Sequence, residues 1–515
     1  MLNLIIMKIF KLLFSKILIS ALALLVQVSV VILVVLFFES YFILFQIFSL
    51  VFGLAVFLYI ISKKGNPELK LPWIFILLVL PFFGTAIYCM FGNAKMPLKQ
   101  YKNIAEITFR CRQYTPLPPA DGAKIEEELG KYAGIENYLR KNSYTKGHLN
   151  CRVTYFPDGE SFFTDLMEEL EKAEKFIFLE YFIIDLGFMW SSILEVLKRK
   201  VQKGVEVRVM YDDIGTVGKL KANYFKKLKK HGINCRKFNP FRPVVSGIHN
   251  NRDHRKIAVI DGVKGYTGGI NIGDEYINAT SPLGHWKDTA VKIEGSAAGN
   301  LTVMFLQLFD SAGKNFSDCK KYLDVDFPTF EDGGYVHPFG DGPKPFYNEC
   351  VGENNYLNII NSAEKYVYIT TPYLIPDYNI ISALRNAAFR GVDVKIITPS
   401  KPDKKIIFNM TRSNYKYLLE AGVKIYEYSP GFIHAKSMVS DGVVAFVGTI
   451  NLDFRSLVHH YECGAVMYKT PCIADIKKDF DETFSVSRKI TPENFKMNVF
   501  ASLANAVLNL FSPML

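Results

Sequence analysis

Three apolar runs open the chain: Ile17–Phe38, Tyr41–Ser62 and Leu71–Phe91, none carrying a charged side chain. Each is long enough to cross the hydrocarbon core of a bilayer, so residues 1–91 read as a membrane anchor of two or three transmembrane helices. The third run holds Pro72, Pro81 and Gly84, which predicts a kinked or re-entrant segment. Lys8, Lys11 and Lys16 precede the first run, and Lys63, Lys64 and Lys70 follow the second. The positive-inside bias places both basic segments in the cytoplasm. Residues 92–150 are a mixed linker segment.

From residue 151 the pattern changes to short β-rich runs alternating with helix-period segments that end at glycine, and it occurs twice. AEKFIFLEYFI (Ala173–Ile183) matches AEKYVYITTPYLI (Ala363–Ile375). Helix-period segments ending at Gly204 and Gly391 follow, each leading into an alternating strand. A second helix–glycine–strand unit comes next in both copies, Phe225–Phe238 and Tyr415–Tyr428. The alternation predicts an α/β fold with a largely parallel sheet, built as two α/β/α halves at 151–330 and 331–490. The tail, 491–515, is apolar on most helical faces and suits either a docking helix or an interfacial one.

Each half then delivers the same cluster. DHRKIAVIDGVKGYTGGIN aligns without gaps on IHAKSMVSDGVVAFVGTIN, pairing His254, Lys256, Asp261 and Asn271 with His434, Lys436, Asp441 and Asn451. Two halves facing each other about a pseudo-twofold axis would bring both clusters into one cleft. Such a site suits phosphoryl chemistry. One free imidazole attacks phosphorus while its protonated partner donates to the leaving oxygen, and the roles reverse in the second step. Lys256 and Lys436 offset phosphoryl charge, and Asn271 and Asn451 add neutral donors. Asp261 and Asp441, counted with the catalytic residues, stand seven residues past the histidines, an odd offset that leaves two roles open: orienting the other half's histidine, or supporting the turn that follows.

Composition narrows the partners. The formal charge is +11, without a polybasic arm, which fits attraction to anionic membrane lipid and argues against nucleic acid. The 8 cysteines lie singly, and with no carboxylate cluster the sequence gives no metal or other cofactor site. Secondary candidates are Glu180 and Asp212 at strand ends, Arg455 as a lipid-phosphate clamp, and Asp288 and Glu462 as anchors for the motif lysines.

The doubled HxKxxxxD with its downstream Gly-x-x-Asn resembles the phospholipase D superfamily. HWKDTAVKIEG (His285–Gly295), TPYLIPD (Thr371–Asp377) and the third apolar run are similar to those of bacterial cardiolipin synthases. The resemblance implies a bacterial, multi-pass membrane enzyme working without metal through a phosphohistidine. It implies that His254 is the nucleophile and His434 the general acid and then base. The implied reaction converts two phosphatidylglycerol molecules into cardiolipin and glycerol, the alternatives being a phospholipase D-type hydrolase and a phosphatidylserine synthase. Ser437 and Ser440 stand where threonine and isoleucine are common in such proteins.

Overall fold

The computed structural model describes residues 25–26, 28–30, 32–33, 39–92, 98–112, 127–240, 250–313, 316–331, 333–493, 495 and 499–514. The chain divides into two compact units. One comprises Met1–Met96, Arg242–His249 and Val507–Leu515; the other comprises Pro97–Phe241 and Asn250–Ala506.

In the first unit, Glu39–Ser62 is one 24-residue helix, about 36 Å at 1.5 Å per residue. Its stretch Ile43–Ser62, with a mean hydropathy of 2.5, is the only one among the described residues long and apolar enough to cross a membrane. Ile43, Leu44 and Leu50 on it are more than half exposed, as expected where lipid rather than protein is the solvent. The run Ile17–Phe38 falls largely outside the described residues. The third run does not form one continuous span. Helix Leu71–Val79 stops at Leu80 (φ −132°, ψ 70°), and a new helix, Pro81–Ile87, begins with proline at its first position. Proline has no N–H and drives the preceding residue out of the helical region, so the break at Leu80 is local chemistry. Ile60, Leu77 and Tyr88 bury together, with the Trp73 ring edge-on to Tyr88 at 5.2 Å and Lys63 donating to the Tyr88 hydroxyl at 2.8 Å.

The second unit is organised on one fifteen-stranded sheet. The first half supplies β1 (His148–Phe156), β2 (Phe176–Tyr181), β3 (Glu206–Asp212), β4 (Asn234–Phe238), β5 (Lys256–Ile260), β6 (Lys264–Gly268), the short β7 (His285–Lys287) and β8 (Ala290–Glu294). The second half supplies β9 (Gly334–Asp341), β10 (Tyr366–Thr370), the short β11 (Leu374–Ile375), β12 (Asp393–Pro399), β13 (Lys424–Tyr428), the short β14 (Gly431–Ile433), β15 (Ser437–Ser440), β16 (Val444–Gly448), the short β17 (Leu452–Asp453), β18 (Glu462–Tyr468) and β19 (Ser487–Ile490). The order is β19-β13-β12-β10-β15-β16-β18-β9-β1-β8-β6-β5-β2-β3-β4. Apart from the extra edge strand β19, this order is a palindrome about the β9–β1 junction, so the two halves are copies facing each other.

The sheet is mixed, which corrects the expectation of a largely parallel one. Only β2-β3-β4 and β10-β12-β13 run parallel. The motif strands return immediately as hairpins, so β5 and β15 lie antiparallel to both neighbours. The turn residues demand this: Asp261 and Gly262 have φ 53° and 78°, and Asp441 and Gly442 have φ 54° and 70°. Positive φ at both central positions makes the tight hairpin turn whose twist matches the strands. The glycines expected past the helices are there, Gly204 after Phe188–Gln202 and Gly391 after Tyr378–Phe389, both with positive φ.

Alternation along β2 assigns the two faces. Ile177, Leu179 and Tyr181 join the core under helices Gly159–Lys172 and Phe188–Gln202. Phe178 points the other way and stacks on Phe305 of helix Ala298–Ser311 at 4.6 Å. That helix is buried from Ala298 to Asp310. Burying each of these two phenylalanines contributes roughly 1.5–3 kcal/mol.

Candidate active site

His254 lies just before β5 and His434 just before β15, both at the ends where the parallel strands β2 and β10 finish. Each histidine is anchored by the opposite half. The His254 backbone N–H donates to the Tyr461 carbonyl at 2.9 Å, and Tyr461 returns a bond to the Arg252 carbonyl at 2.8 Å. The His434 N–H donates to the Lys287 carbonyl at 2.7 Å, where β14 pairs in parallel with β7.

The imidazoles cross over in the same way. His254 Nδ1 lies 2.9 and 3.0 Å from the two carboxylate oxygens of Glu462, on β18 of the second half. His434 Nδ1 lies 2.6 Å from Asp288 Oδ2 in the first half. A carboxylate at Nδ1 holds the proton on that nitrogen and leaves the Nε2 lone pair available. Asp288 and Glu462 therefore hold the histidines, which revises their expected role as lysine anchors. The supports differ. A Cβ on Gly269 would stand 2.0 Å from Asp288 Oδ1, so only glycine admits that carboxylate. At the matching position Thr449 instead donates its hydroxyl to Glu462.

Both lysines are buried beside their histidines. Lys256 Nζ donates to the His254 carbonyl at 2.6 Å, and Lys436 Nζ lies 2.9 Å from His434 Nδ1. Burial lowers Lys256 to about 8 and Lys436 to about 7. Burial, then the charges of Lys256, Lys436 and His434, pushes His254 well below the ordinary imidazole value. His434 is pushed down to about 4, by burial first and Lys436 second, with Asp288 opposing. That Lys436 and His434 act on His254 places both motifs in one electrostatic field. Both imidazoles are thus free bases near neutrality, and it takes the negative charge of a phosphodiester to raise the second one to a proton donor.

The motif aspartates resolve the open alternative. The Asp261 carboxylate accepts the backbone N–H groups of Glu174, Lys175 and Phe176 at 2.7–2.8 Å. Asp441 does the same for Glu364, Lys365 and Tyr366 at 2.8–2.9 Å. They pin each motif hairpin to the start of β2 or β10 and leave the imidazoles to Glu462 and Asp288. This corrects the expectation of Asp261 and Asp441 as catalytic groups: they position the motif strands.

Asn271 is corrected too. Its carbonyl accepts from Ile183 N–H at 3.0 Å and its amide donates to the Tyr276 hydroxyl at 2.9 Å, so it braces the loop after β2 instead of facing a ligand. Asn451 donates to Asp453 at 3.2 Å and keeps a buried carbonyl oxygen without a hydrogen bond. Arg455 is exposed at the head of the short turn Arg455–His459.

Glu180 and Asp212 prove to be partners of two arginines that flank His254. Arg255 Nε donates to Glu180 at 2.6 Å, and Arg252 makes a fork on Asp212 at 2.7 and 2.9 Å. All four side chains are buried. Asp253 shares Arg255 with Glu180; burial drives both carboxyls up, Asp253 to about 6. The second motif has no such pairs, since Ile433 and Ala435 occupy the places of Asp253 and Arg255. Sequence reasoning passed over Arg252, Arg255 and His460. The signal for the arginines was there, in RDHRK against FIHAK; for His460 there was only its place two residues before Glu462.

A family model described as "Cardiolipin synthase, PLD-like domain" matches residues 166–293 and again 356–484, one match in each half. A protein from Streptococcus mutans serotype c, described as uncharacterized, is 43% identical over 460 residues, covering 89% of this chain and 99% of its own. The cardiolipin synthase of Geobacillus kaustophilus is 35% identical over 482 residues, covering 92% and 94%. That of Alkalihalophilus pseudofirmus is 33% identical over 479 residues, covering 91% and 93%. Among solved structures, phosphatidylserine synthase from Haemophilus influenzae superposes with a TM-score of 0.55 at 15% identity over 75% of this chain and 98% of its own, a likeness of fold. With a motif in each half, a carboxylate of the opposite half on each imidazole, and relatives aligned over nine-tenths of its length, the chain belongs to the cardiolipin synthases of the phospholipase D superfamily.

Proposed function

We propose that the protein is a phosphatidyltransferase that joins two phosphatidylglycerol molecules into cardiolipin and releases glycerol. The observation that carries this reading is the crossed pair: His254 on Glu462 and His434 on Asp288, each set with its own buried lysine. In the first step His254 Nε2 attacks phosphorus, forming N–P and breaking the bond to the glycerol oxygen, which takes a proton from His434. In the second, the hydroxyl of another phosphatidylglycerol gives its proton to His434 and attacks phosphorus, and the N–P bond breaks. Lys256 and Lys436 offset the charge on the equatorial oxygens. Asn451, through its amide N–H, and the exposed Arg455 are the groups we assign to the lipid phosphate.

His434 suits the acid role because Asp288, 2.6 Å from its Nδ1, favours the imidazolium against the burial and the Lys436 charge that oppose it. The substrates are bilayer lipids, and residues 1–91, with the apolar helix Glu39–Ser62, would hold the enzyme to the membrane as a multi-pass anchor. The test is to incubate membranes carrying the protein with phosphatidylglycerol labelled in both its headgroup and its acyl chains and separate the products. Cardiolipin and free glycerol, lost in His254→Ala and in His434→Ala, support the transferase. Phosphatidic acid without cardiolipin would make water the acceptor and the enzyme a hydrolase.

A further inference from the structure

His460 is 8% exposed, yet neither of its ring nitrogens has a hydrogen-bond partner. A buried imidazole without a partner bears a desolvation cost, and such groups call for an explanation. Its surroundings supply one. Its ring centroid lies 5.5 Å from that of His254, and its Nδ1 lies 3.7 Å from Glu462 Oε1. One ligand atom from each of His254, His460 and Glu462 falls within 4.8 Å of the others, and all three residues are buried. Four ligands at about 2.0–2.1 Å around a tetrahedral zinc ion stand about 3.3 Å apart. The separations from Glu462 Oε1, 2.9 Å to His254 Nδ1 and 3.7 Å to His460 Nδ1, bracket that spacing.

We propose that His254, His460 and Glu462 form an inhibitory site for a borderline divalent cation of the zinc type, with the fourth position open. The proposal rests on the reading of His254 as the nucleophile only for its effect on activity. Two imidazoles and one carboxylate are a zinc-type donor set, unsuited to magnesium or calcium, which prefer oxygen. The inhibition follows from tautomerism. A neutral imidazole has one N–H and one lone pair, and the Glu462 contact keeps the proton on His254 Nδ1. A metal taking Nδ1 shifts that proton to Nε2, and the lone pair that would attack phosphorus is gone. No proton leaves the ring and no bond to phosphorus forms. Lys256, Lys436 and Arg455 oppose a dication here, while the carboxylates of Glu462, Asp288 and Asp453 favour it. His434, held on Asp288 on the other side, packs against the Tyr276 and Trp286 rings where His254 has His460, so the effect belongs to the first motif.

The experiment uses the full-length protein in detergent, stripped with chelator and titrated with zinc chloride, each variant's activity referred to its own chelator-treated value. Zinc should inhibit the wild type reversibly, and His460→Asn should raise the half-inhibiting concentration by on the order of 100-fold. Cobalt chloride gives a readout independent of lipid chemistry. The wild type should show the intense visible bands of four-coordinate cobalt, displaced by zinc and absent in His460→Asn and His460→Gln. Equal cobalt spectra and equal zinc sensitivity in wild type and variants would overturn the site. Cobalt bands that need His460, with no zinc inhibition, would keep the site, remove the inhibitory role, and count against Nδ1 ligation of His254. A thermal melt of each variant separates loss of the site from loss of the fold.

Discussion

The two copies of the motif carry the same histidine and lysine in different surroundings. The first is polar underneath: His254 sits between Arg252 on Asp212 and Arg255 on Glu180, with its ring on a glutamate that also takes the Thr449 hydroxyl. The second is apolar: Ile433 and Ala435 flank His434, and its ring lies among Tyr276, Trp286 and Phe432 at 5.6–6.1 Å. A framework of buried charges fixes orientation but fails badly when one partner is removed. A framework of packed rings and small side chains tolerates trimming and restricts water. The comparison implies that the half carrying the proposed nucleophile is built for fixed geometry and the half carrying the proposed acid for a shielded proton.

Changes at the rings themselves should be the most severe. His254→Ala should abolish lipid transfer, and His434→Ala should lower it by about 10²–10⁴-fold, both read as cardiolipin formed per minute. Glu462→Gln and Asp288→Asn, which preserve shape but not the Nδ1 proton, should each cost about 10³-fold or more in kcat with little change in the melting curve. A loss at only one of the pair would mean that only one imidazole needs a fixed tautomer. Next comes the ion-pair framework. Arg255→Met strands Glu180 beside Asp253 and should destabilise the fold by about 3–5 kcal/mol, whereas Ile433→Val in the second copy should cost only about 0.5–1.5 kcal/mol; denaturant melts measure both. If the two were equal, the contrast between the halves would be cosmetic.

The motif turn gives a third, smaller and pH-dependent effect. Burial alone would raise the Asp441 carboxyl, but three backbone N–H groups outweigh it and hold the group below the ordinary carboxylate value. A depressed folded pKa means stabilisation that is complete above the unfolded value and is lost as pH falls through the folded one. Asp441→Asn should therefore cost about 1.5–3 kcal/mol at neutral pH, and the gap from wild type should narrow on acidification below about 4. A gap that stays constant with pH would show that the charge of Asp441 does nothing for the turn.

Much of this was legible in the sequence because it is local. The hairpin aspartate and glycine, the glycines past the helices and the two HxKxxxxD clusters are short patterns with fixed physical causes, and each sits where its spacing put it. What was not legible is what crosses between halves. Glu462 is 208 residues from His254, and Asp288 is 146 from His434, distances over which no periodicity carries information. The same reason hid the antiparallel pairings, since helix–strand alternation describes β2-β3-β4 and is silent on β5, β6 and β8. The kink expected in the third apolar run was legible for the same local reason as the motif turns: Pro81 drives Leu80 out of the helical region and divides the run.

The exchanged backbone bonds, His254 to Tyr461 and His434 to Lys287, have a consequence for descent. A protein consisting of one such half could assemble a site only by pairing with an identical twin, and every residue would then have to serve as attacker's support and as acid's support at once. Joining two copies in one chain lifts that obligation. After duplication each position answers to a single role, and the arginine pairs on one side and the aromatic enclosure on the other are divergences that such freedom permits.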